Sequence, residues 1–376
     1  MAKKNSNGVL VIPALNPEAK FLDLAMEMAQ YFEDIIVVND GSDEAHVSVF
    51  TSIKEALGEK VHLLTHEVNQ GKGIALKTAF SYYMESSLKE DYVGIVAADS
   101  DGQHEYADVV MLDQKLGEEH ERCIHIGHRD LNSKIMPPRS KFGNKLTAFL
   151  FNFLYGVKLK DTQTGLRAFS ADIMLWLIEL KGARFEYEMN MLIHSKNAGV
   201  ALYEHPIKTK YEENHKSTYS TFKDSFRVGK VLLGPLVWFI VAALAACVVD
   251  IGGFAVLEYW LLPKAGIHDD AISILLATVI SRAVSSVVNF CCNRFVTFGG
   301  KKISRSSIWK YYLLFFVQMA ASYGLVLGCT MLFGVVEGSI AVTLIKIVVD
   351  LLLSLCSYQV QMRWVFKKKC EKKKTA

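Results

Sequence analysis

The sequence predicts an α/β domain with a mostly parallel sheet, followed by an all-α domain that crosses a membrane four times. Over the first 230 residues, short β-rich runs alternate with helical patterns. This alternation is typical of parallel strands with helices on both faces of the sheet. Four apolar stretches follow, at about residues 231–261, 271–298, 310–336 and 339–366. Each is long enough to span a bilayer, because about 20 apolar residues suffice as a helix.

Composition and charge separate the same two parts of the chain. Hydrophobic residues form 51% of the 376 residues and the mean hydropathy is +0.20. These values exclude a disordered chain, a collagen and a small disulfide scaffold, and they argue against an ordinary cytosolic enzyme. Residues 231–376 carry 15 basic and 7 acidic residues, and the other 230 residues carry 27 and 32. The net charge of +3 therefore combines an acidic first part with a basic second part.

The first part contains five β-rich runs that we expect to form strands. They are Val9–Pro13, Ile35–Asn39, Val61–Thr65, Tyr92–Ala97 and Cys123–Gly127. Helical patterns lie between the earlier runs, at Ala19–Phe32 and Gly73–Ser86. Ligands of such sheets bind beyond the carboxyl ends of the strands, so the polar residues after each run are the candidates for function.

Polar residues directly follow the first two runs. Asn16 precedes Pro17, which suits a helix cap followed by proline at the first helical position. Asp40 lies at the tip of the second run beside Gly41. A carboxylate there can hydrogen-bond a ribose or a base, and a capping role is equally compatible with the sequence.

The fourth run ends in two acids that form the strongest candidate site. Asp99 and Asp101 alternate along the chain, so an extended backbone directs both carboxylates to the same side. Together with Gln103 they form a set of hard oxygen ligands that suits Mg²⁺ or Mn²⁺ bridging a diphosphate. A solvated turn is the alternative, but two acids closing an apolar strand favour the metal.

Three further motifs stand out in the first part of the chain. They are Asn-Gln-Gly-Lys-Gly at 69–73, Gly-His-Arg at 127–129 and Asp-Thr-Gln-Thr-Gly-Leu-Arg-Ala-Phe at 161–169. The first resembles a phosphate-binding loop in composition, but it lacks the P-loop spacing, so we reject that motif.

Taken together, the first part of the chain resembles the family-2 glycosyltransferases of the polyprenyl-phosphate branch, which includes dolichyl-phosphate mannose synthase. The matching segments, in family order, are IPALNP, VVNDGS, NQGKGIALKTAF, DSDGQH, GHR, DTQTGLRAF and RFEYEMNML. The membrane part resembles GtrA-like four-span domains through SRAVSSVVNFCCNRFVTF and KIVVDLLLSLCSYQVQMRWVF. The resemblance implies a GT-A fold. It also implies that a hexose passes from a UDP- or GDP-linked donor to a polyprenyl phosphate, with inversion, for cell-surface glycoconjugates.

The resemblance also implies roles for individual residues. The nucleotide-sugar pocket would comprise Pro13, Ala14, Asn16, Asp40, Asp99 and Ser100. The ligands of Mg²⁺ or Mn²⁺ would be Asp99, Asp101 and Gln103. The acceptor phosphate would face Arg129 and Arg139, and the catalytic residues would be Asp101, Asp161 and Arg129. Leu15, Pro17 and Asn39 depart from the family pattern, which leaves the base and the sugar open and the metal ligands intact.

Basic residues mark one side of the membrane. The link between the second and third spans holds Lys301, Lys302, Arg305 and Lys310, and the C-terminal tail is strongly basic. The other two links are acidic or nearly neutral. Because basic loops remain in the cytoplasm, we expect both termini and the first 230 residues of this multi-pass protein on the cytoplasmic side of the cell membrane.

These boundaries predict four regions. A catalytic domain covers 1–216, an amphipathic juxtamembrane linker 217–230, the membrane domain 231–366 and a basic tail 367–376. Two cations lie within spans, Arg282 and Lys346. They are candidates for binding an anionic lipid head-group. An internal ion pair is equally compatible for Lys346, since Asp350 lies four residues further on.

Residues 140–156 predict a helix with an apolar face. Its members are Phe142, Leu146, Phe149, Leu150, Phe153 and Leu154. Such a face suits a helix at the membrane surface, where the isoprenoid tail of the acceptor enters, or an ordinary core helix. The aromatic and basic residues of 217–230 favour the membrane surface.

Two other functions remain as alternatives. A processive polysaccharide synthase would carry a QxxRW motif on an interfacial helix, but Gln361-Met-Arg363-Trp364 has the wrong spacing and closes the last span. A lipid-linked sugar translocase or scaffold with an inactive transferase domain would not need the intact acids after the fourth run. We expect a nucleotide sugar, a polyprenyl phosphate and the membrane as partners and no nucleic acid, and a homo-oligomer stays open.

Overall fold

The computed structural model describes residues 5–132, 136–209, 223–267, 270–299, 303–333 and 340–366. The chain divides into two compact units, the first ending at Leu232 and the second beginning at Leu233. Residues 217–222 of the predicted juxtamembrane linker and the whole basic tail lie outside the described residues.

The first unit is built on a seven-stranded sheet. Its strands are β1 Gly8–Ala14, β2 Ile35–Asn39, β3 Val61–Thr65, β4 Gly94–Ala97, β5 Cys123–Arg129, β6 Arg167–Ser170 and β7 Ala201–Ile207. They lie in the order β3-β2-β1-β4-β6-β5-β7. Only β6 runs antiparallel to its neighbours. The predicted mostly parallel α/β domain is confirmed.

Eight helices accompany this sheet in the described part of the first unit. They are α1 Lys20–Met28, α2 Glu44–Leu57, α3 Lys72–Glu85, α4 Leu88–Asp91, α5 Tyr106–Glu118, α6 Pro138–Tyr155, α7 Met174–Glu179 and α8 Glu186–Ala198. An apolar core between helices and sheet includes Leu10, Ile12, Phe21 and Phe50, and the rings of Phe21 and Phe50 meet edge to face at 6.2 Å. Burial of such side chains stabilises the sheet and so holds its strand ends in place.

All five predicted strands are present, and β2 and β3 have the predicted bounds. The sequence did not reveal β6 and β7. The four residues of β6 include Arg167 and Ser170, which are atypical of a strand in the middle of a sheet. The edge strand β7 contains Pro206. Proline weakens the strand signal, although an edge strand tolerates it.

Five helices follow in the described residues, namely α9 Lys223–Val256, α10 Leu262–Lys264, α11 Asp270–Cys292, α12 Arg305–Leu332 and α13 Ile340–Val360. Single π-helical turns at Leu257–Leu261, Asn293–Thr297 and Gln361–Val365 continue α9, α11 and α13. Four helical segments are long and apolar enough to cross a membrane: Lys223–Lys264, Ile272–Thr297, Arg305–Leu332 and Leu344–Val365. The predicted four-span membrane protein is confirmed.

The membrane unit contains a pair of equivalent ring contacts. Phe239 meets Tyr358 with centroids 5.3 Å apart and planes at 75°, and Tyr311 meets Phe290 at 5.2 Å and 73°. Tyr311 follows Phe239 by 72 positions, and Tyr358 follows Phe290 by 68. The first contact joins the first span to the fourth, and the second joins the third span to the second. An internal twofold repeat of one hairpin requires this arrangement.

A second pair of contacts obeys the same 68-residue offset. Phe298 lies 5.7 Å from Tyr358, and its equivalent Phe366 lies 5.6 Å from Phe290. The π-helical turns Asn293–Thr297 and Gln361–Val365 are also 68 positions apart. These matching contacts and turns indicate two related hairpins in the membrane unit.

The repeat differs at one buried polar position. In the first copy, Asn293 donates to Asn289 Oδ1 and accepts from Thr297 Oγ1. In the second copy, Gln361 donates to Ser357 Oγ, but Val365 replaces the threonine. The buried Oε1 of Gln361 consequently has no partner among the described residues.

Candidate active site

The candidate site lies where the strand order changes direction, between β1 and β4. Chains that leave two neighbouring parallel strands toward opposite sides open a crevice at their carboxyl ends. At the end of β1, Pro13 and Ala14 are buried in the strand. The predicted pocket residues Asn16, Asp40, Asp99 and Ser100 all follow β1, β2 or β4.

Asn16 joins two loops at this edge of the sheet. Its backbone is left-handed, with φ of 48°. Its N–H donates to Ser42 Oγ and its side-chain oxygen accepts from the N–H of Asp43, both at 2.9 Å. The predicted helix cap is wrong, because α1 begins only at Lys20 and has Ala19 at its N-cap. The side chain of Asn16 is engaged with the loop after β2, and Asn16 lies four residues before Lys20, so it does not cap α1.

Asp40 holds a loop from inside the protein. Its buried carboxylate accepts from the backbone N–H groups of Gln70 and Gly71 at 3.0 and 2.8 Å, and it contacts His66 Nδ1 at 2.7 Å. The sequence left ribose binding and helix capping open for this residue. The structure shows a third arrangement, in which Asp40 fixes the Asn-Gln-Gly-Lys-Gly segment. Its predicted role in the nucleoside pocket stays a prediction.

This loop delivers Lys72 to the end of β4. Lys72 Nζ lies 2.6 Å from Asp99 Oδ1 and 3.1 Å from Glu188 Oε1, and the lysine side chain is 15% exposed. Burial alone disfavours the ammonium, but the attraction of both carboxylates outweighs it and raises the pKa of Lys72. Sequence analysis rejected the segment as a P-loop and missed both Lys72 and Glu188 as site residues.

Three separate parts of the chain surround Asp99, at Lys72, His104 and Gly165. Burial opposes its ionisation, but Lys72 and His104 together hold its pKa well below the usual range. His104 Nε2 lies 3.4 Å from Asp99 Oδ2. On the other side, a Cβ on Gly165 would come within 2.3 Å of the carboxylate. Only glycine therefore allows the 161–169 segment to pass so close to Asp99.

Asp101 begins a tight turn directly after Asp99. Its Oδ1 accepts from the N–H of Gln103 at 3.0 Å, and Gly102 between them has φ of 75°. Ser100 is half-buried in the same turn. Both acids and Gln103 thus follow β4 within six residues, and their role as oxygen ligands stays a prediction.

The chemistry of these donors fits a divalent cation. Asp99, Asp101 and Gln103 offer hard oxygens, and the buried Nδ1 of His104 has no partner among the described residues. Lys72 already engages one oxygen of Asp99, however. Within the described residues, no three His, Cys, Asp or Glu side chains are grouped as a ready-made metal site. The metal assignment therefore stays a prediction.

Arg129 and Asp161 form a second charged group. Arg129 Nε and Nη2 donate to Asp161 Oδ2 and Oδ1 at 2.6 and 3.1 Å. Asp161 is fully buried and also accepts from the N–H of Gln163. Burial alone raises the pKa of Asp161, but Arg129 more than offsets this and lowers it. Two residues predicted from separate motifs are thus brought into direct contact.

Arg167 connects these groups. It is fully buried and donates to the carbonyls of Thr162, Thr164 and Glu188. It thereby ties the segment after Asp161 to the helix that carries Glu188. In the sequence, Arg167 was indicated only by its place in the segment Asp-Thr-Gln-Thr-Gly-Leu-Arg. No sequence pattern indicated its contact with Glu188 on α8.

The side chain of Arg139 lies outside the described part of the structure, although its backbone belongs to α6. On the same helix, Phe142 is 70% exposed and Phe149 64%, and Leu146 and Phe153 are exposed on the same face. The core-helix interpretation therefore fails for this face. The predicted place on this face is wrong for Leu154, which is buried with Phe151 inside the first unit, and Leu150 is half-buried.

In the membrane unit, both candidate head-group ligands have acidic partners. Arg282 Nε lies 3.2 Å from Asp250 Oδ2, and Lys346 Nζ lies 2.9 Å from Asp350 Oδ2. Asp350 also accepts from Ser322 Oγ at 2.5 Å. The ion pair considered for Lys346 is therefore present. Head-group binding by Arg282 and Lys346 stays a prediction.

Comparisons with known proteins agree with this architecture. Residues 9–174 match the family described as "Glycosyl transferase family 2", and residues 238–366 match "GtrA/DPMS, transmembrane domain". The UDP-N-acetylglucosamine–dolichyl-phosphate N-acetylglucosaminyltransferase of Methanococcus voltae is 31% identical over 54% of this chain and 86% of its own length. Human dolichyl-phosphate beta-glucosyltransferase is 28% identical over 43% of this chain and 54% of its length.

Among solved structures, the crystal structure of GalNAc-T7 with UDP, GalNAc and Mn²⁺ aligns with 74% of this chain and 55% of that protein at 11% identity. Its TM-score of 0.36 is too low to carry an argument. The assignment of the chain to a family rests on the family match, on the relative from Methanococcus voltae and on the four spans. The chain belongs to the family-2 glycosyltransferases, and its catalytic domain is joined to a GtrA/DPMS-type transmembrane domain.

Proposed function

We propose that this glycosyltransferase moves a hexose from a UDP- or GDP-linked donor to a polyprenyl phosphate, with inversion, on the cytoplasmic face of the membrane. The observation that carries the proposal is that Asp99 and Asp101 after β4 and the Arg129–Asp161 ion pair at the end of β5 lie at the same edge of the sheet, in a chain with four spans. The names of two relatives supply the class of acceptor, since both contain dolichyl phosphate.

A divalent cation, Mg²⁺ or Mn²⁺, would be held by Asp99, Asp101 and Gln103. When bound, it would supply positive charge to a leaving nucleoside diphosphate. The protein contributes the fixed turn that places Gln103 beside Asp101. Among the other predicted pocket residues, Pro13 and Ala14 provide a rigid apolar strand end and Asn16 fixes the adjoining loop.

The acceptor needs no general base. A phosphate monoester has a second pKa near ~6, so the lipid phosphate is largely dianionic at pH 7 and already nucleophilic. The protein must instead hold two anions close together, which calls for arginines and a metal. Arg129 is suited to this role, because Asp161 fixes the plane of its guanidinium. Arg139 would act beside it. Direct attack by the phosphate on the anomeric carbon inverts its configuration.

The lipid tail of the acceptor must stay in the bilayer. The exposed face of α6, formed by Phe142, Leu146, Phe149 and Phe153, is the described surface of the catalytic domain that suits insertion among head-groups. Lys141 and Lys145 on the same helix suit an anionic surface. The basic link between the second and third spans and the basic tail favour a cytoplasmic position for the catalytic domain.

The proposal is tested with the purified full-length protein in lipid nanodiscs. Polyprenyl phosphate is offered with one labelled UDP- or GDP-hexose at a time, and the products are separated by solvent extraction. We expect one donor to yield a labelled lipid soluble in organic solvent. An insoluble polymer would instead indicate a polysaccharide synthase, and no transfer from any donor would indicate a translocase or scaffold. Either result would overturn the proposal.

The role of Asp101 is tested in the same assay. We expect Asp101→Ala to abolish transfer and Asp172→Ala, which changes an acid outside the site, to preserve it. Retained transfer by Asp101→Ala at saturating Mg²⁺ would contradict the assignment of this residue to the metal.

A further inference from the structure

Lys72 is a buried cation between two carboxylates that come from different elements. It lies 2.6 Å from Asp99, after β4, and 3.1 Å from Glu188, in α8. The exposed fractions of the three side chains are 15%, 29% and 10%. Charges this far from water are tolerated when paired, and one ammonium here neutralises one of two negative charges. The group therefore retains a net charge of about −1.

The backbone that carries Lys72 is held from two sides. Asp40 accepts from the N–H groups of Gln70 and Gly71, just before the lysine. Directly after it, a Cβ on Gly73 would come within 2.6 Å of Tyr187 Cβ, so the loop packs closely on α8. The backbone is thus fixed, whereas the four-carbon side chain of lysine can still change its rotamer without moving the loop.

Asp99 would therefore have to serve two cations. The proposed function assigns this carboxylate to a divalent cation, and in the structure its Oδ1 contacts Lys72 and its Oδ2 lies 3.4 Å from His104 Nε2. An ammonium and a metal ion held at one carboxylate repel each other strongly where water is scarce. Glu188 offers the ammonium a second partner that is not among the proposed metal ligands.

We propose that Lys72 is the counter-cation of Asp99 in the donor-free enzyme, and that it exchanges this carboxylate for Glu188 alone when the divalent cation of the reaction binds. This inference rests on the metal-dependent part of the proposed function. Lys72 thereby holds the Asp99 carboxylate in place between turnovers. It also lowers the affinity of the empty site for free metal ions, so that metal arriving with a donor diphosphate is favoured.

The first experiment measures binding of Mn²⁺ to the full-length protein by electron paramagnetic resonance, without nucleotide. Lys72→Met removes the competing charge, Lys72→Arg keeps it, and Lys77→Met is a matched control on the same helix. Lys77 donates to the carbonyl of Leu180, outside the site. We expect Lys72→Met to bind Mn²⁺ at least about tenfold more tightly than the wild type, since one charge-assisted contact no longer has to be broken. The other two variants should stay within about threefold of the wild type.

The second experiment uses the wild-type protein, so it does not depend on whether Lys72→Met folds. Reductive methylation followed by mass spectrometry compares labelling of Lys72 in EDTA and in Mn²⁺, with Lys77 as the internal reference. We expect Mn²⁺ to raise labelling of Lys72 several-fold, because its ammonium loses one of two partners. Unchanged labelling of Lys72, or equal Mn²⁺ affinity of a folded Lys72→Met variant, would overturn the inference.

The two proposals fail in different ways. The same preparations are assayed for sugar transfer to polyprenyl phosphate. Transfer with unchanged Lys72 labelling refutes only the counter-cation role, whereas absence of transfer from every donor refutes the proposed function and leaves the metal-binding result to decide the role of Lys72.

Discussion

Arg129 and Asp161, 32 positions apart in the chain, form a two-pronged ion pair in which Nε and Nη2 of the arginine contact both oxygens of the buried carboxylate. Arg129 ends the motif at 127–129 and Asp161 begins the motif at 161–169, and nothing in the sequence relates the two. The geometry fixes the plane of the guanidinium at the edge of the site. A planar, two-pronged contact is something that lysine cannot reproduce.

We therefore expect Arg129→Lys to lower kcat for sugar transfer by roughly 100-fold, with the donor KM changed less than threefold, because lysine keeps the charge but loses the planar contact with Asp161 that positions it. Steady-state kinetics with varied donor and acceptor measure this. Arg122→Lys, outside the site, is the control. Equal kcat for Arg129→Lys and the wild type would contradict a role for the guanidinium plane.

A buried histidine and a half-buried one on neighbouring strands are expected to make the catalytic domain sensitive to acid. His125 Nε2 donates to the carbonyl of Glu119 at 2.7 Å, so its Nδ1 is left to accept from His205 Nε2 at 3.0 Å. Burial lowers the pKa of both histidines below the ordinary value. Groups whose folded pKa is depressed stabilise the fold above the unfolded pKa of about 6.5 and lose that contribution as the pH falls.

We expect the melting temperature of the catalytic domain to fall between about pH 6.5 and 5, since the unfolded chain binds protons more readily. His125→Gln should flatten this dependence, whereas His120→Gln, at an exposed position after α5, should leave it unchanged. Differential scanning fluorimetry of the full-length protein in detergent follows it. An equally steep curve for His125→Gln would show that other groups cause the dependence.

The exposed face of α6 leads to a prediction about the acceptor. Phe149→Asp should raise the KM for a long polyprenyl phosphate at least about tenfold, because a charge opposes insertion of the helix among lipids. The KM for a water-soluble, short-chain prenyl phosphate should change little. The control is Leu175→Asp, since Leu175 is equally exposed on α7. An equal rise for both acceptors would mean that the substitution disturbs the site itself.

The internal repeat predicts a stabilising substitution. Val365→Thr would give the unpartnered Oε1 of Gln361 the hydroxyl donor that Thr297 gives Asn293 in the first copy. We expect a gain of about 1 kcal/mol in the stability of the membrane domain, which is typical of one added buried hydrogen bond. Thermal unfolding in detergent, with Val365→Ala as the control, measures it. A lower melting temperature for Val365→Thr than for Val365→Ala would contradict the repeat-based argument.

The amino-acid sequence by itself determined the elements with a regular pattern. Five strands, the four spans and the acids after β4 were all evident, because period-two alternation, long apolar runs and polar strand ends are local features. The strands β6 and β7 were missed, because Arg167 and Pro206 weaken the strand pattern of their segments.

Only the tertiary structure decided which distant residues meet. Lys72, Asp99 and Glu188 converge because β1, β2 and β4 are neighbours and α8 packs beside their ends, and sequence separation carries no information about such convergence. The same holds for Asp40, whose carboxylate serves the loop of Lys72, and for α6, whose apolar face has the same helical spacing whether it is buried or exposed. Strand order and helix packing, which depend on the whole chain at once, turn separate motifs into one site.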